Sequence, residues 1–358
     1  MDPGGGVADA TSMRGPKGLR YSSGHGVVAR ILFAYSRESS FVAIDREALS
    51  GTHEVHDCRQ RGARVNPIEL LRAVRRSDLV FGWFASWHTF LPVTFAWLLR
   101  RPSVLIAGGY DTAHMPDIGY GIQQHRILGP ISRWVLRRAT RIVTNSEYTA
   151  AETRAIRGID PRKVTVVHHG VPDPFGELPA DGRERLALSV GIVDERNLER
   201  KGLGPFARTA GLLPDVGFAV VGRWDDGAGE RLRLEAPANL ELTGWVDDDE
   251  LTRWYRRASV YVQPSRHEGF GLSVAEAMLA GCIPVYTRAG ALPEVVGETG
   301  VAIDSAAPED IAAGVREALE VGPEARAAAR ARVLQEFPLS ARRAGLESVV
   351  GEALAGRG

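Results

Sequence analysis

Two carboxylates eight residues apart, Glu268 and Glu276, stand in the segment YVQPSRHEGFGLSVAEAMLAGCIPVY at 261–286, the densest chemical signal in the chain. Gly269 and Gly271 allow the backbone to approach a ligand closely. Ser273 and the residues after it begin a predicted helix, whose free N–H groups and dipole favour an anion such as a phosphate or pyrophosphate. Glu268 falls in the loop before this helix and Glu276 inside it. The two acids thus bracket the anion site rather than fill it. As pure hydrogen-bond acceptors they suit hydroxyl donors such as those of sugars and ribose. The plainer reading makes Glu268 a solvated loop residue and Glu276 an ordinary acid compensating the helix dipole.

Cations come from a second segment, SVGIVDERNLERKGLGPF at 189–206. A strand ending at Gly191 and a helix beginning near Gly202 would leave Arg196, Arg200 and Lys201 in a loop at the carboxyl edge of a sheet, where clustered cations suit a diphosphate leaving group. Asp194, Glu195 and Glu199 are present to neutralise them if the loop is merely solvated. AVVGRW and LTGWVDDDEL place Gly222, Arg223 and Val246 on the same edge. The run Asp247, Asp248, Asp249 reads as a helix cap and first turn rather than as metal ligands. Earlier in the chain, SVLIAGG runs into YDTAHMPDIGYG, a polar loop holding Tyr110, Asp111, His114 and Asp117.

The elements that must position these residues follow an alternation of short apolar runs with longer amphipathic stretches, the pattern of βα units around parallel sheets. Six strands are predicted in the first half (VVARILFAY, HEVHDCR, DLVFGWF, SVLIAGG, RIVTNS, VTVVHHG) and six in the second (ALSVG, FAVVG, LELTG, VYVQPS, IPVYT, VAI). The fold class is therefore α/β with two doubly wound Rossmann-like domains. A cleft between facing sheets is the expected site. Prolines and glycines at 171–185 mark the linker. The predicted division is a disordered leader at 1–26, an N-terminal domain at 27–175, a C-terminal domain at 186–336 and a final helix at 337–358 returning to the N-terminal domain. PEDIAAGVREALEV supplies a helix after Pro308.

Composition narrows the function. The 358 residues allow about two domains. With 44 basic and 44 acidic residues the formal charge is zero, which argues against nucleic acid as a partner. Only Lys17, Lys163 and Lys201 are lysines, which singles out Lys201. Cys58 and Cys282 form no metal or CxxC spacing and suit a reducing, cytoplasmic setting. The leader lacks the apolar region of a secretory signal. The uncharged run at 79–99 is long enough for a membrane span, but Gly82, His88 and Pro92 break it into a strand and a helix. HRILGPISRWVLRRATR, with Arg126, Arg133, Arg137, Arg138 and Arg141, is either a packed helix with a solvated basic face or one that lies on an anionic membrane surface.

The 261–286 segment resembles the E-x7-E motif of glycosyltransferase family 4 (group 1), retaining enzymes of GT-B architecture that use sugar nucleotides, and GALPEVVGETG at 290–300 resembles the stretch that follows it. The likeness runs from Val27 almost to the end and is strongest over 189–300. It implies that Glu268 holds hydroxyls of the donor hexose and Glu276 those of the nucleotide ribose. Gly269, Phe270, Gly271 and Leu272 would offer backbone N–H groups to sugar and diphosphate. Lys201 matches the lysine of the family's GR…KG element. Ile192 stands where many members have its arginine, so Arg196 or Arg200 would supply that guanidinium. Gly222, Arg223 and Val246 would meet the base. On the acceptor side, Tyr110 precedes Asp111 where many members carry a histidine, leaving that role to His114 or unfilled. VHHGVPDPF at 167–175 is similar to the family's hinge. Neither a metal nor a cofactor is expected, the nucleotide diphosphate sugar being a co-substrate.

The implied function is transfer of a hexose-type sugar, with retention, to an acceptor hydroxyl in glycan, polysaccharide or glycolipid biosynthesis. Sugar or lipid-linked acceptors and peripheral contact with the inner face of the membrane go with that reading. A sugar-nucleotide epimerase of the same fold and a non-catalytic sugar-nucleotide-binding protein are the alternatives. A dinucleotide oxidoreductase is disfavoured, because YSRESSF, not GxGxxG, follows the first strand.

Overall fold

The computed structural model describes residues 20–21, 27–62, 65–178 and 182–356. Strands β1 (Arg20–Tyr21) and β2 (Val27–Val28) form a small antiparallel pair. The rest of the predicted leader lies outside the described residues. The first large sheet contains β3 (Arg30–Tyr35), β4 (Glu54–Arg59), β5 (Leu79–Trp83), β6 (Ser103–Ala107), β7 (Arg141–Thr144) and β8 (Val164–Val166), in the order β4-β3-β5-β6-β7-β8. The second contains β9 (Glu184–Val190), β10 (Gly217–Val221), β11 (Leu240–Gly244), β12 (Ala258–Gln263), β13 (Ile283–Thr287) and β14 (Val301–Ile303), in the order β11-β10-β9-β12-β13-β14. Both are parallel, doubly wound sheets, and their strands are the twelve predicted ones.

Strands β5, β12 and β13 are buried along their whole length, which is why their sequences are continuous apolar runs rather than alternating ones. Edge strand β4 instead exposes Glu54, His56, Asp57 and Arg59, charges and polar groups that discourage pairing with another edge. In the second sheet the chain runs outward through β9, β10 and β11 and resumes at β12 on the other side of β9. The carboxyl ends of β9 and β12 therefore form the switch point where such sheets bind ligands.

By internal packing the described chain forms two compact units. One comprises the residues up to Ile106, with Ile131–Ile142 and the chain from Arg343 on; the other comprises Ala107–Pro130 and Val143–Arg342. The uncharged run at 79–99 resolves into β5 and the helix Trp87–Leu98 with Pro92 inside it. Among the described residues no helix is long and apolar enough to cross a membrane. In the helix Leu128–Arg138, Val135 and Leu136 are fully buried, so its apolar side faces the protein.

After β14 the helix Pro308–Leu319 starts at its proline as expected. A second helix, Pro323–Glu336, was not expected, because EARAAARARVL has no apolar period. Only Ala329 and Val333 of this helix are buried, and alanine's intrinsic preference accounts for much of its helicity. The helix Leu339–Ala355 follows. Its Arg342 is 1% exposed and donates to Asn145 Oδ1 at 3.1 Å and to the Val167 carbonyl, just beyond β7 and β8. Replacing it by leucine leaves those buried acceptors without their donor. Arg342→Leu is expected to cost about 2–3 kcal/mol of stability, read as a lower denaturant midpoint; an unchanged midpoint would show that this guanidinium does not hold the strand ends.

Candidate functional site

β12 ends at Gln263, and a loop carries the chain to the helix Leu272–Leu279. Gly271 caps that helix at φ 100°, a conformation that favours glycine. Three successive carbonyls of the loop are held. The Arg200 guanidinium donates to His267 O at 3.1 Å, Ala291 N to Glu268 O at 2.9 Å, and Ser146 Oγ and Thr149 Oγ1 to Gly269 O at 2.7 and 3.1 Å. Gly269 lies so close to Gly108 that a Cβ there would sit 2.7 Å from its carbonyl oxygen. With its backbone fixed, Glu268 turns Oε2 toward Gln263 Nε2 at 3.3 Å, Arg200 at 3.8 Å and Lys201 Nζ at 3.9 Å. Gln263 is itself oriented by Tyr261, whose hydroxyl donates to it at 3.0 Å, and by Ser265 at 2.6 Å.

The predicted cation loop is in part a helix, Glu195–Arg200, because Asp194 caps it by accepting from Asn197 N at 2.7 Å. This turns Arg200 inward and Arg196 outward. Arg200 is buried, bonded to Asn197 Oδ1 at 2.9 and 3.1 Å and stacked over the Tyr120 ring at 4.8 Å. Arg196 is exposed. Of the two arginines considered from sequence, the structure brings only Arg200 to Glu268. Lys201 ends the helix, with its side chain 15% exposed. Burial lowers the pKa of its amine, and so does Arg200, while Glu268 and Glu276 act the other way.

Glu276 lies inside the helix and accepts a hydrogen bond from the Tyr255 hydroxyl at 3.0 Å. Burial pushes its carboxyl up to about 7, with Tyr255 and Lys201 opposing and Asp248 adding to the rise. Asp247 caps the helix Asp248–Arg257, accepting from Glu250 N at 2.8 Å. Gly222 N donates to Gly244 O at 3.0 Å, which aligns the ends of β10 and β11, and a side chain at Gly222 would collide with the Gly191 backbone. Arg223 is paired with Asp225 at 3.2 Å, both half exposed, and Val246 is partly buried against the core. Leu272 is partly buried, and the Phe270 ring is buried against His169 at 5.1 Å and Phe337 at 5.2 Å, so this side chain anchors the loop. The later stretch holds Glu294, which accepts from Glu147 N at 2.9 Å and His168 Nε2 at 2.6 Å.

The polar loop after β6 is largely self-supporting. Asp111 is buried and accepts from Gly108 N at 2.9 Å and Gly109 N at 3.2 Å, fastening its own turn. Tyr110 packs on Tyr120 with centroids 5.3 Å apart, Asp117 pairs with Arg266, and His114 is exposed. Reading the sequence alone missed His267 and Glu152. His267 is 1% exposed and its Nε2 meets Glu152 Oε1 at 2.9 Å, while Thr112 Oγ1 donates to Glu152 Oε2 at 3.0 Å. Adjacency to Glu268 marked His267, but Glu152 is 115 residues distant and has no local signature. Among the described residues no group of three or more His, Cys, Asp and Glu side chains could hold a metal ion.

The raised carboxyl has a thermodynamic consequence. Its native pKa exceeds the ordinary 4.5, so the native state binds this proton more tightly than the unfolded chain does. The associated stabilisation is complete below 4.5 and is lost as pH rises through about 7. Glu276→Gln is expected to gain on the order of 1–3 kcal/mol over the native protein between pH 5 and 8. Denaturant midpoints measured across that range would refute the assignment if the difference stayed flat.

Known proteins match on both halves. A family model for glycosyl transferases group 1 matches residues 185–321, and one for glycosyltransferase family 4 matches 45–173. The D-inositol 3-phosphate glycosyltransferase of Mycolicibacterium gilvum is 29% identical over 266 residues, 68% of this chain and 56% of that protein. The 2-deoxystreptamine glucosyltransferase of Streptomyces kanamyceticus is 32% identical over 210 residues, 53% of each chain. The chain thus spans little more than half the length of these curated relatives. The structure of Anabaena Alr3699/HepE in complex with UDP and glucose superposes with a TM-score of 0.73 at 14% identity, covering 90% of this chain and 100% of that one. The shared fold is GT-B, as the two Rossmann-like sheets imply.

Proposed function

Because the chain belongs to the group 1 (family 4) glycosyltransferases, we propose that it transfers a hexose-type sugar from a nucleoside diphosphate sugar to an acceptor hydroxyl, with retention. One observation carries the reading: Glu268, Arg200 and Lys201 meet within 3.8–3.9 Å beside the start of the helix that bears Glu276. In this reading the diphosphate lies at that helix start, where N–H groups lack intrahelical partners and the dipole favours negative charge. Lys201 and Arg200 offset the charge that develops on the departing diphosphate, so no bound cation is required. Glu268 accepts from hexose hydroxyls and Glu276 from the ribose. Gly269, Phe270, Gly271 and Leu272 offer backbone donors to sugar and diphosphate, and Gly222, Arg223 and Val246 border the base.

Glu268 is an unsuitable nucleophile, since it is already committed to Gln263, Arg200 and Lys201. Retention then follows front-face departure: the bond from the anomeric carbon to the phosphate oxygen breaks, the acceptor oxygen bonds on the same face, and its proton passes to the leaving phosphate. A sugar or lipid-linked hydroxyl serves as acceptor. The donor class is also supported by the UDP and glucose found in the Anabaena structure.

The test is calorimetry and turnover with a panel of nucleotide sugars, with NAD(P) as control. Glu276→Ala should weaken donor binding about tenfold or more, the loss of one charged hydrogen-bond partner. Glu268→Ala and Lys201→Ala should lower turnover about a hundredfold or more, as removal of one preorganised electrostatic group does. Product formation should require the acceptor, which separates transfer from epimerisation. Donor affinity and rate unchanged in all three variants, or preference for NAD(P), would overturn the reading.

A further inference from the structure

At the amino ends of β6 and β7 the unit containing the first sheet has a cavity of about 460 Å³. Arg100, Arg101 and Arg138 line it with Trp97 and Leu98. Arg138 is stacked between two rings, its guanidinium 4.0 Å from the Trp97 ring centroid and 4.6 Å from that of Trp134. Trp134 is in turn anchored by donating to Thr94 Oγ1 at 3.1 Å. Stacking leaves the charge of Arg138 uncompensated. Among the described residues no carboxylate pairs with Arg138 or with the exposed Arg100. Arg101 reaches Asp78 only at 4.0 Å, and that carboxylate is already bonded by Arg30 at 3.1 Å through both oxygens. Glu352, next to the lining residue Ala353, is engaged by Arg141 at 3.3 Å.

Three cations thus converge, and among the described residues only Arg101 reaches an acid, which it shares with Arg30, in a chain whose formal charge is zero. Beside them Trp97 and Leu98 expose 42% and 61% of their surface. Phosphate oxygens match guanidinium geometry, and tryptophan is the side chain most suited to the boundary between water and hydrocarbon. We propose that this face binds the phosphate headgroups of an anionic bilayer, with Trp97 and Leu98 entering the interface. The contact is made by the turn at 97–102 together with Arg138, rather than by the whole basic stretch at 125–141, whose Val135 and Leu136 are buried. It does not depend on the transfer reaction.

The full chain is tested by co-sedimentation with vesicles of phosphatidylcholine, alone or mixed with phosphatidylglycerol, at low and high salt. Binding is expected only to the anionic vesicles and should weaken with salt. Arg100→Glu and Leu98→Asp, both at exposed positions, should each lower the partition coefficient about tenfold. Arg59→Glu makes the same charge change at the exposed carboxyl end of edge strand β4, the opposite end of the sheet, and should leave binding unchanged. Thermal melts confirm that each variant is folded. Absence of vesicle binding, equal loss in Arg59→Glu, or indifference to lipid charge would overturn the proposal. So would stabilisation by inorganic phosphate that requires Arg100 without any vesicle binding, which would mark a site for a free anion.

Discussion

The grip on three consecutive carbonyls, those of His267, Glu268 and Gly269, is the constraint on which the candidate site depends. A loop between a strand and a helix has no ladder to hold it, and its backbone groups must find partners elsewhere. Here they come from three directions: the Arg200 side chain, the Ala291 amide and the hydroxyls of Ser146 and Thr149. With the backbone held by these bonds, Glu268 is turned toward Gln263, Arg200 and Lys201, and the helix is capped by Gly271, the residue type that tolerates the required dihedral. Arg200 has two tasks in this arrangement. It holds the loop through His267 and places a positive charge next to Glu268.

Electrostatics then follow from geometry. Two acids and two cations share a largely desolvated neighbourhood, and partial compensation makes their burial tolerable. The compensation is uneven. Glu268 has Arg200 and Lys201 close by, whereas Glu276 relies on a tyrosine hydroxyl and a more remote lysine, so burial raises its pKa to about 7. Burial makes ionisation of this acceptor costly near neutral pH. It becomes favourable once hydroxyl donors or further positive charge arrive, the differential expected of a binding site.

The residues of the loop after β6 behave differently. Asp111 spends its carboxylate on the amides of Gly108 and Gly109, and Tyr110 supports Tyr120, which in turn carries Arg200. In this structure these residues shape the site's framework, and their polar groups were visible in the sequence without the purpose they serve.

The sequence by itself determined the twelve strands, since most are short apolar runs of buried parallel strands, too short for a helix, with β4 and β11 the more exposed ones. It also located Glu268, Glu276 and Lys201, whose spacing relative to a strand end and a helix start is local. What only tertiary structure decided was which side chains meet. Arg196 and Arg200 are indistinguishable in sequence, and the Asp194 cap settles their facing by winding the segment into a helix. Glu152 and His267 are joined across 115 residues by packing that leaves no periodic trace. The helix Pro323–Glu336 escaped because it buries only two residues and is otherwise seated by Arg326, Arg330 and Arg332 donating to carbonyls of distant segments, contacts with no apolar period. Strand identity is written in the burial of each segment's own faces, while partner choice depends on how segments far apart in the chain are brought side by side.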